Sequence, residues 1–164
     1  MTKRTFLWLN TIISSVYLTG HLFDFFVVMS NWRTGNVELL TNFRAFFINA
    51  DPGHFFRIVV PVSVLLSIIS FFAYLKSNKQ IKILLSVHLV VTLGAFLFTM
   101  FYFLPINNYL FWNQGISLEP DLTMELVNKW VFGEHLRVLF GFVALIVSAR
   151  ALHLSYNKLT LNNE

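Results

Sequence analysis

Asp24, His21, Glu134, His135, Arg137, Arg57 and His88 fall inside stretches of sequence otherwise too apolar to hold them. An ionisable side chain within a membrane is costly, so by default it faces the protein interior and marks a candidate site. A histidine in a dry pocket serves as a general base near neutral pH. An arginine beside it stabilises a developing oxyanion, most strongly where water is excluded. His135, Arg137, His21, Asp24 and Glu134 are therefore the candidate catalytic groups. Arg57, Tyr102 and His88 are candidate substrate contacts. The same histidines and carboxylates are ligand types for Zn, Fe or Mn. Their spacing offers no His-x-x-x-His, however, and Glu134 and His135 are neighbours pointing about 100° apart on a helix. Two nearby arginines also disfavour a cation, so a metal-free site is the more natural reading.

The elements that must position these groups are helices of membrane length. Of 164 residues, 56% are hydrophobic and only 12% charged, against roughly a quarter charged in soluble domains. The mean hydropathy is +0.65. Nineteen phenylalanines are too many for a soluble core of this size to hide. A hydrocarbon core of about 30 Å needs roughly 20 apolar residues in helix. Four stretches qualify, at about 5–29, 54–75, 80–104 and 129–153, so the expected fold is an all-α membrane protein, a bundle of four transmembrane helices. The first stretch is longer than a signal-peptide core and precedes no small-residue cleavage site, so it is expected to remain as a signal anchor.

Lys and Arg set the orientation. Lys3, Arg4, Lys76, Lys79, Lys82, Arg150 and Lys158 lie on one side. Arg33, Arg44, Arg57, Lys129 and Arg137 lie on or toward the other. Both termini are expected in the cytoplasm, with two longer extracytoplasmic connections at about 30–53 and 105–128. Unstructured loops of that length are uncommon, so short amphipathic helices are expected at Val37 to Phe47 and Leu122 to Val127. Asp121 or Thr123 would cap the second of these. The basic residues are scattered and form no stripe for nucleic acid. The absence of cysteine excludes disulfides, thiolate ligands and Cys nucleophiles.

Helical spacing places the polar residues on single faces. Asn10, Ser14, Tyr17, His21 and Asp24 form one stripe on the first helix. His88, Thr92, Ala95, Thr99 and Tyr102 form one on the third. Trp130, Glu134, Arg137, Gly141, Ala144 and Ser148 form one on the fourth. At 1.5 Å per residue, Asp24 and His21 lie roughly 7 and 12 Å below the outer end of the first helix. There they would meet Arg57, Glu134, His135 and Arg137, with Asp24 or Glu134 pairing Arg137 or Arg57. His88 lies deeper, toward the cytoplasmic third. The competing structural explanation is that buried salt bridges fix helix register. For Ser63, Ser67, Ser70, Gly141, Ala144 and Ser148, helix-to-helix contact is the expected role. Phe23, Phe25, Phe26, Tyr102, Trp112 and Trp130 could form a flat slot for a lipophilic ligand. Trp32 and Trp112 read more simply as an interfacial belt.

The segment Phe101-Tyr102-Phe103-Leu104-Pro105-Ile106-Asn107-Asn108, followed by Trp130 and Glu134-His135-Leu136-Arg137, resembles the four-helix membrane family that includes the fungal anthrone oxygenases. The resemblance is clearest over about 99–152 and looser over the first two helices, where Gly20 and the Arg57 to Pro61 segment look similar. It implies a cofactor-independent oxygenase acting on a polycyclic phenol. His135 or His21 would then be the base, Arg137 would hold the phenolate, Asn107 and Asn108 would shape the rim, and Trp130 would line the slot. His21 and Asp24 fall outside the family's motifs.

The sequence thus reads as a membrane-embedded, oxygenase-like enzyme of the bacterial plasma membrane, binding a small aromatic or quinone-like ligand within the bilayer. The alternatives are an accessory subunit whose polar faces dock partner helices, a homo-oligomer, or a small proton path along Asp24, His21, Tyr17 and Ser14. Stripes converging on one cavity favour an enzyme or ligand binder, and stripes pointing outward favour a partner.

Overall fold

The computed structural model describes residues 3–47 and 49–161, with side chains described to residue 156. α1 (Lys3–Phe23) continues through a π turn at Asp24–Val28 and a tight turn at Met29–Asn31. Gly35, with φ of +71°, turns the chain into α2 (Val37–Phe46). A left-handed residue costs glycine nothing extra, since it has no Cβ. Asn36 caps α2, its side-chain oxygen accepting from Glu38 N at 2.8 Å and Leu39 N at 3.2 Å. α3 (Pro52–Ala73) starts with proline in its first turn, where a missing N–H costs no helix bond. A short hairpin leads to α4 (Lys79–Phe98), capped by the side chain of Asn78.

α4 does not stop where the proline at 105 suggests. A π turn at Thr99–Phe103 leads into α5 (Leu104–Asn107), and a second π turn at Asn108–Trp112 carries the helix to Trp112. A proline deprives the carbonyl four residues back of its donor. Here the Leu104 N–H bonds to the Thr99 carbonyl in the wider π geometry, and the helix passes through Pro105. α6 (Pro120–Leu161) is then one continuous 42-residue helix. Leu122 to Val127 form its first turns rather than a separate helix. Asp121 and Thr123 lie inside that start instead of capping it, and the Thr123 N–H donates to the Glu119 carbonyl. The second connection shrinks to 113–119, whereas the expected helix of the first, α2, is present.

Among the described residues, four helices are long and apolar enough to cross a membrane: Lys3–Asn31, Pro52–Ala73, Lys79–Trp112 and Pro120–Tyr156. α1 packs on α3 and α6, and α4 packs on the same two, which makes a four-cornered bundle. Gly141 lets α6 close on α1: a Cβ there would stand 3.3 Å from the Leu18 Cα. Large apolar side chains such as Ile58, Val90 and Ile146 cover the outer faces, where lipid replaces water.

The core is layered. Leu7, Ile81, Leu85 and Leu152 fill the end that carries the termini. Tyr17, Val59, Val60 and Ala95 lie between the ends. Met29, Trp32, Leu40, Phe103, Leu110 and Trp130 fill the opposite, distal end. α2 is fastened there by Arg44, which donates to the carbonyls of Leu110 at 2.8 Å, Ile116 at 3.1 Å and Tyr109. Burial pushes the Arg44 pKa down from its usual value.

Candidate active site

The three polar stripes point inward. Asn10, Ser14, Tyr17, His21 and Asp24 are all buried, as are His88, Thr92 and Ala95. Trp130, Glu134, Arg137, Gly141, Ala144 and Ser148 are buried on α6. At the distal end these faces carry a chain of charged groups. Glu134 is fully buried between two partners. Its Oε1 stands 2.8 Å from His21 Nδ1, and its Oε2 stands 2.5 Å from Arg137 Nη2. With the carboxylate ionised, His21 carries its proton on Nδ1 and donates it. The Arg137 guanidinium lies 3.4 Å above the Phe103 ring and 5.1 Å from that of Trp130. His21 stacks on Phe56 at 4.2 Å and meets the edge of Tyr17 at 4.4 Å. Of the possible pairings, Glu134 with Arg137 is the one formed. No ion pair to Asp24 or Arg57 occurs among the described residues.

Beside this chain lies a cavity of about 190 Å³. Asp24 and Arg137 line its depth, with Thr99, Asn107 and Trp130. Its walls are largely apolar, including Phe56, Val60, Phe96 and Phe111. An apolar cavity of about 150 Å³ takes up benzene, so this one admits a substituted aromatic ring. Each of the three π turns contributes to the wall: Asp24 and Val28 from the first, Thr99 and Met100 from the second, Phe111 and Trp112 from the third. Such turns rotate side chains off the regular helical register and recur at functional sites. At the mouth, Trp112 donates from Nε1 to Asp51 Oδ2 at 2.9 Å, and the Arg57 guanidinium lies 5.2 Å over its ring. Trp130 donates to the Asn107 side-chain oxygen at 2.7 Å.

Several candidates lie elsewhere. His135 is exposed on the other side of α6, its Nδ1–H donating to the Val131 carbonyl at 2.7 Å. Tyr102 donates to the Lys129 carbonyl and stacks on Phe98, outside the cavity. Asn108 is exposed. His88 is buried deeper, between Ser14 at 3.0 Å and Ser67 at 2.8 Å. Phe23 and Phe26 face outward instead of forming a slot. Trp32 and Trp112 both line the cavity, and Trp32, 1% exposed beneath Leu40 and Phe43 of α2, is a core residue rather than a belt residue. The sequence reading missed Asp51, Phe56, Phe111 and the site role of Thr99. An Asp-Pro-Gly start to α3 was the available signal for Asp51. No group of three or more His, Cys, Asp or Glu that could hold a metal occurs among the described residues.

A four-helix bundle of membrane-length helices with a buried carboxylate–arginine pair beside an aromatic-lined cavity defines the class: an integral membrane protein. The family model for anthrone oxygenase matches residues 54–147, more than half of the chain, and the protein belongs to that family. No curated protein and no solved structure matches it. The matched segment carries Arg57, Asn107, Asn108, Trp112, Trp130, Glu134 and Arg137 and leaves out α1, with His21 and Asp24.

Proposed function

We propose that this protein is a membrane-embedded oxygenase that draws a small lipophilic phenolic substrate, of the anthrone type, into the distal cavity. The reading is carried by one observation: Asp24 and Arg137 line the same largely apolar cavity. A carboxylate base and a cationic oxyanion partner thus reach one bound molecule. In the proposed reaction Asp24 takes a proton from the ring carbon opposite the carbonyl. Arg137 stabilises the negative charge that spreads onto oxygen, an effect strengthened by the exclusion of water. The carbanion gives its electrons to O2, a C–O bond forms, and the peroxide regains the proton from Asp24. Removal of the second proton from that carbon then breaks the O–O bond, forms the new carbonyl and expels hydroxide, which leaves as water. The balance is CH2 plus O2 to C=O plus H2O, with no further reductant.

Glu134 and His21 act in this scheme as positioning residues that hold Arg137. His135 and His88, outside the cavity, have no part in it. The buried stripes leave an accessory-subunit role without a supporting observation. We place the protein in a bacterial plasma membrane with both termini cytoplasmic, as the basic residues suggest. The test is oxygen uptake by proteoliposomes supplied with anthrone, followed by quinone absorbance. Uptake well above spontaneous oxidation supports the reading, and a rate equal to that of protein-free liposomes sinks it.

A further inference from the structure

Among the arginines with described contacts, Arg57 alone is aimed at a cavity without a polar partner. Arg137 is paired with Glu134, Arg44 donates to three backbone carbonyls, and Arg4 lies over Tyr156 at the opposite end. Arg57 is exposed and makes no ion pair or hydrogen bond among the described residues; its guanidinium lies over the face of Trp112. Of the acids on this cavity, neither Asp24 nor Asp51 forms an ion pair with Arg57 among the described residues. Asp51 Oδ2 accepts from Trp112 Nε1, whereas Oδ1, 3.5 Å from His54 Nδ1, has no hydrogen-bond partner among the described residues. Glu134 is held between His21 and Arg137. Asp51 takes the edge of the indole and Arg57 covers its face, so Trp112 keeps acid and base apart. A cation lying over an aromatic face satisfies none of its five N–H donors. Arg57 lies five residues into α3, roughly 7–8 Å from the helix start. It lines the mouth of the cavity whose depth holds Asp24 and Arg137.

We infer that Arg57 is a specificity-determining residue, and that the ligand of this cavity carries an anionic substituent, a carboxylate or an ionised phenol, at the end remote from Asp24. The inference rests on the lipophilic-substrate reading above. The planar body lies among Phe56, Phe111 and Trp112, its charged edge meets the fork of Arg57, and its reacting ring lies between Asp24 and Arg137. Arginine suits this task because its planar donors match a carboxylate two at a time. The phosphate of an anionic lipid offers the same chemistry, so the experiment must tell the two apart.

The test uses naphthalene-2-carboxylate and naphthalene-2-carboxamide, which share a ring and differ in charge. Binding is read by quenching of tryptophan fluorescence, since Trp32, Trp112 and Trp130 line the cavity. The protein sits in nanodiscs of phosphatidylcholine. We expect the carboxylate to bind about tenfold more tightly than the amide, as befits hydrogen bonds to a charged group. Arg57→Gln should bind both alike, and Arg57→Lys should keep part of the preference. Equal binding of the two probes by the wild type overturns the inference, as does a preference that survives in Arg57→Gln. A preference lost when phosphatidylglycerol replaces phosphatidylcholine, beyond the drop that the same swap causes in Arg57→Gln through surface charge, assigns Arg57 to a lipid phosphate and also overturns it. Failure of both probes to bind overturns the lipophilic-cavity reading itself, a result distinct from binding without preference.

Discussion

His21 on α1 meets Glu134 on α6 at 2.8 Å, in a position sealed from both solvent and lipid. This contact joins the helix that lies outside the family match to the helix that carries its charged motif. Glu134 also neutralises Arg137, so one carboxylate holds both a helix interface and the cation of the cavity. Buried pairs of this kind add little net stability against an apolar replacement, but removing one partner strands the other.

Glu134→Ala should therefore cost about 3–5 kcal/mol, since it leaves Arg137 buried without a counter-charge. Removing both charges with Glu134→Leu and Arg137→Met should recover much of that loss. Thermal unfolding of purified protein in mild detergent measures both. A Glu134→Ala variant as stable as the wild type would show that water or lipid reaches the pair.

Asp24→Asn keeps the size of the side chain but removes the base. Oxygen uptake with anthrone should fall by about 10²–10⁴-fold, the usual contribution of a positioned base. His135→Ala should retain its activity, because that ring faces away from the cavity. The paired measurement separates the two residues as bases. Full activity in Asp24→Asn would remove the carboxylate from the mechanism, and loss in His135→Ala alone would restore the histidine.

The membrane bundle and its inward faces were legible because a 3.6-residue period projects Asn10, Ser14, Tyr17, His21 and Asp24 onto one line. The pairing of Glu134 with Arg137 was within reach for the same reason, as three residues bring side chains together on a helix. Which of Glu134 and His135 faces inward is a matter of about 100° of rotation, and the helical stripe assigns it to Glu134, which is buried while His135 is exposed. The third span reads as ending near 104 from its apolar run, whereas two π turns carry the helix on to Trp112 and leave no mark in local composition. Trp32 read as a belt residue because a tryptophan near a span end usually is one. α2 folding back over it is a long-range event, fixed by Leu40, Phe43 and the anchoring of Arg44 on the far end of the α4–α5 segment.

Gly141 tests how closely α1 and α6 must approach. Alanine gains about 1 kcal/mol of helix propensity over glycine, while its Cβ would stand 3.1 Å from Leu18 Cδ1 and 3.3 Å from Leu18 Cα. These terms oppose each other, so Gly141→Ala should unfold within about 1 kcal/mol of the wild type. Gly141→Leu cannot be accommodated without spreading the helices, and should lose about 1–3 kcal/mol by overpacking. Equal stability of Gly141→Leu and the wild type, measured by the same unfolding assay, would mean that the two helices are not held at this distance.

Orientation rests on the basic residues alone, and the cysteine-free sequence offers a direct test of it. Ser77 lies in the hairpin between α3 and α4, on the side rich in Lys and Arg. Gln114 lies in the short connection before α6, at the opposite end of the bundle. Single variants Ser77→Cys and Gln114→Cys each introduce one thiol, and neither disturbs a buried charge. In intact bacterial cells with a permeabilised outer membrane, a membrane-impermeant maleimide should label Gln114→Cys and spare Ser77→Cys. Inverted membrane vesicles should show the reverse. The distal cavity would then open toward the extracytoplasmic leaflet, which its ligand would have to reach. Labelling of Ser77→Cys alone in intact cells would invert the protein, placing Asp24, Arg57 and Arg137 at the cytoplasmic leaflet and making an intracellular source for the ligand the natural one.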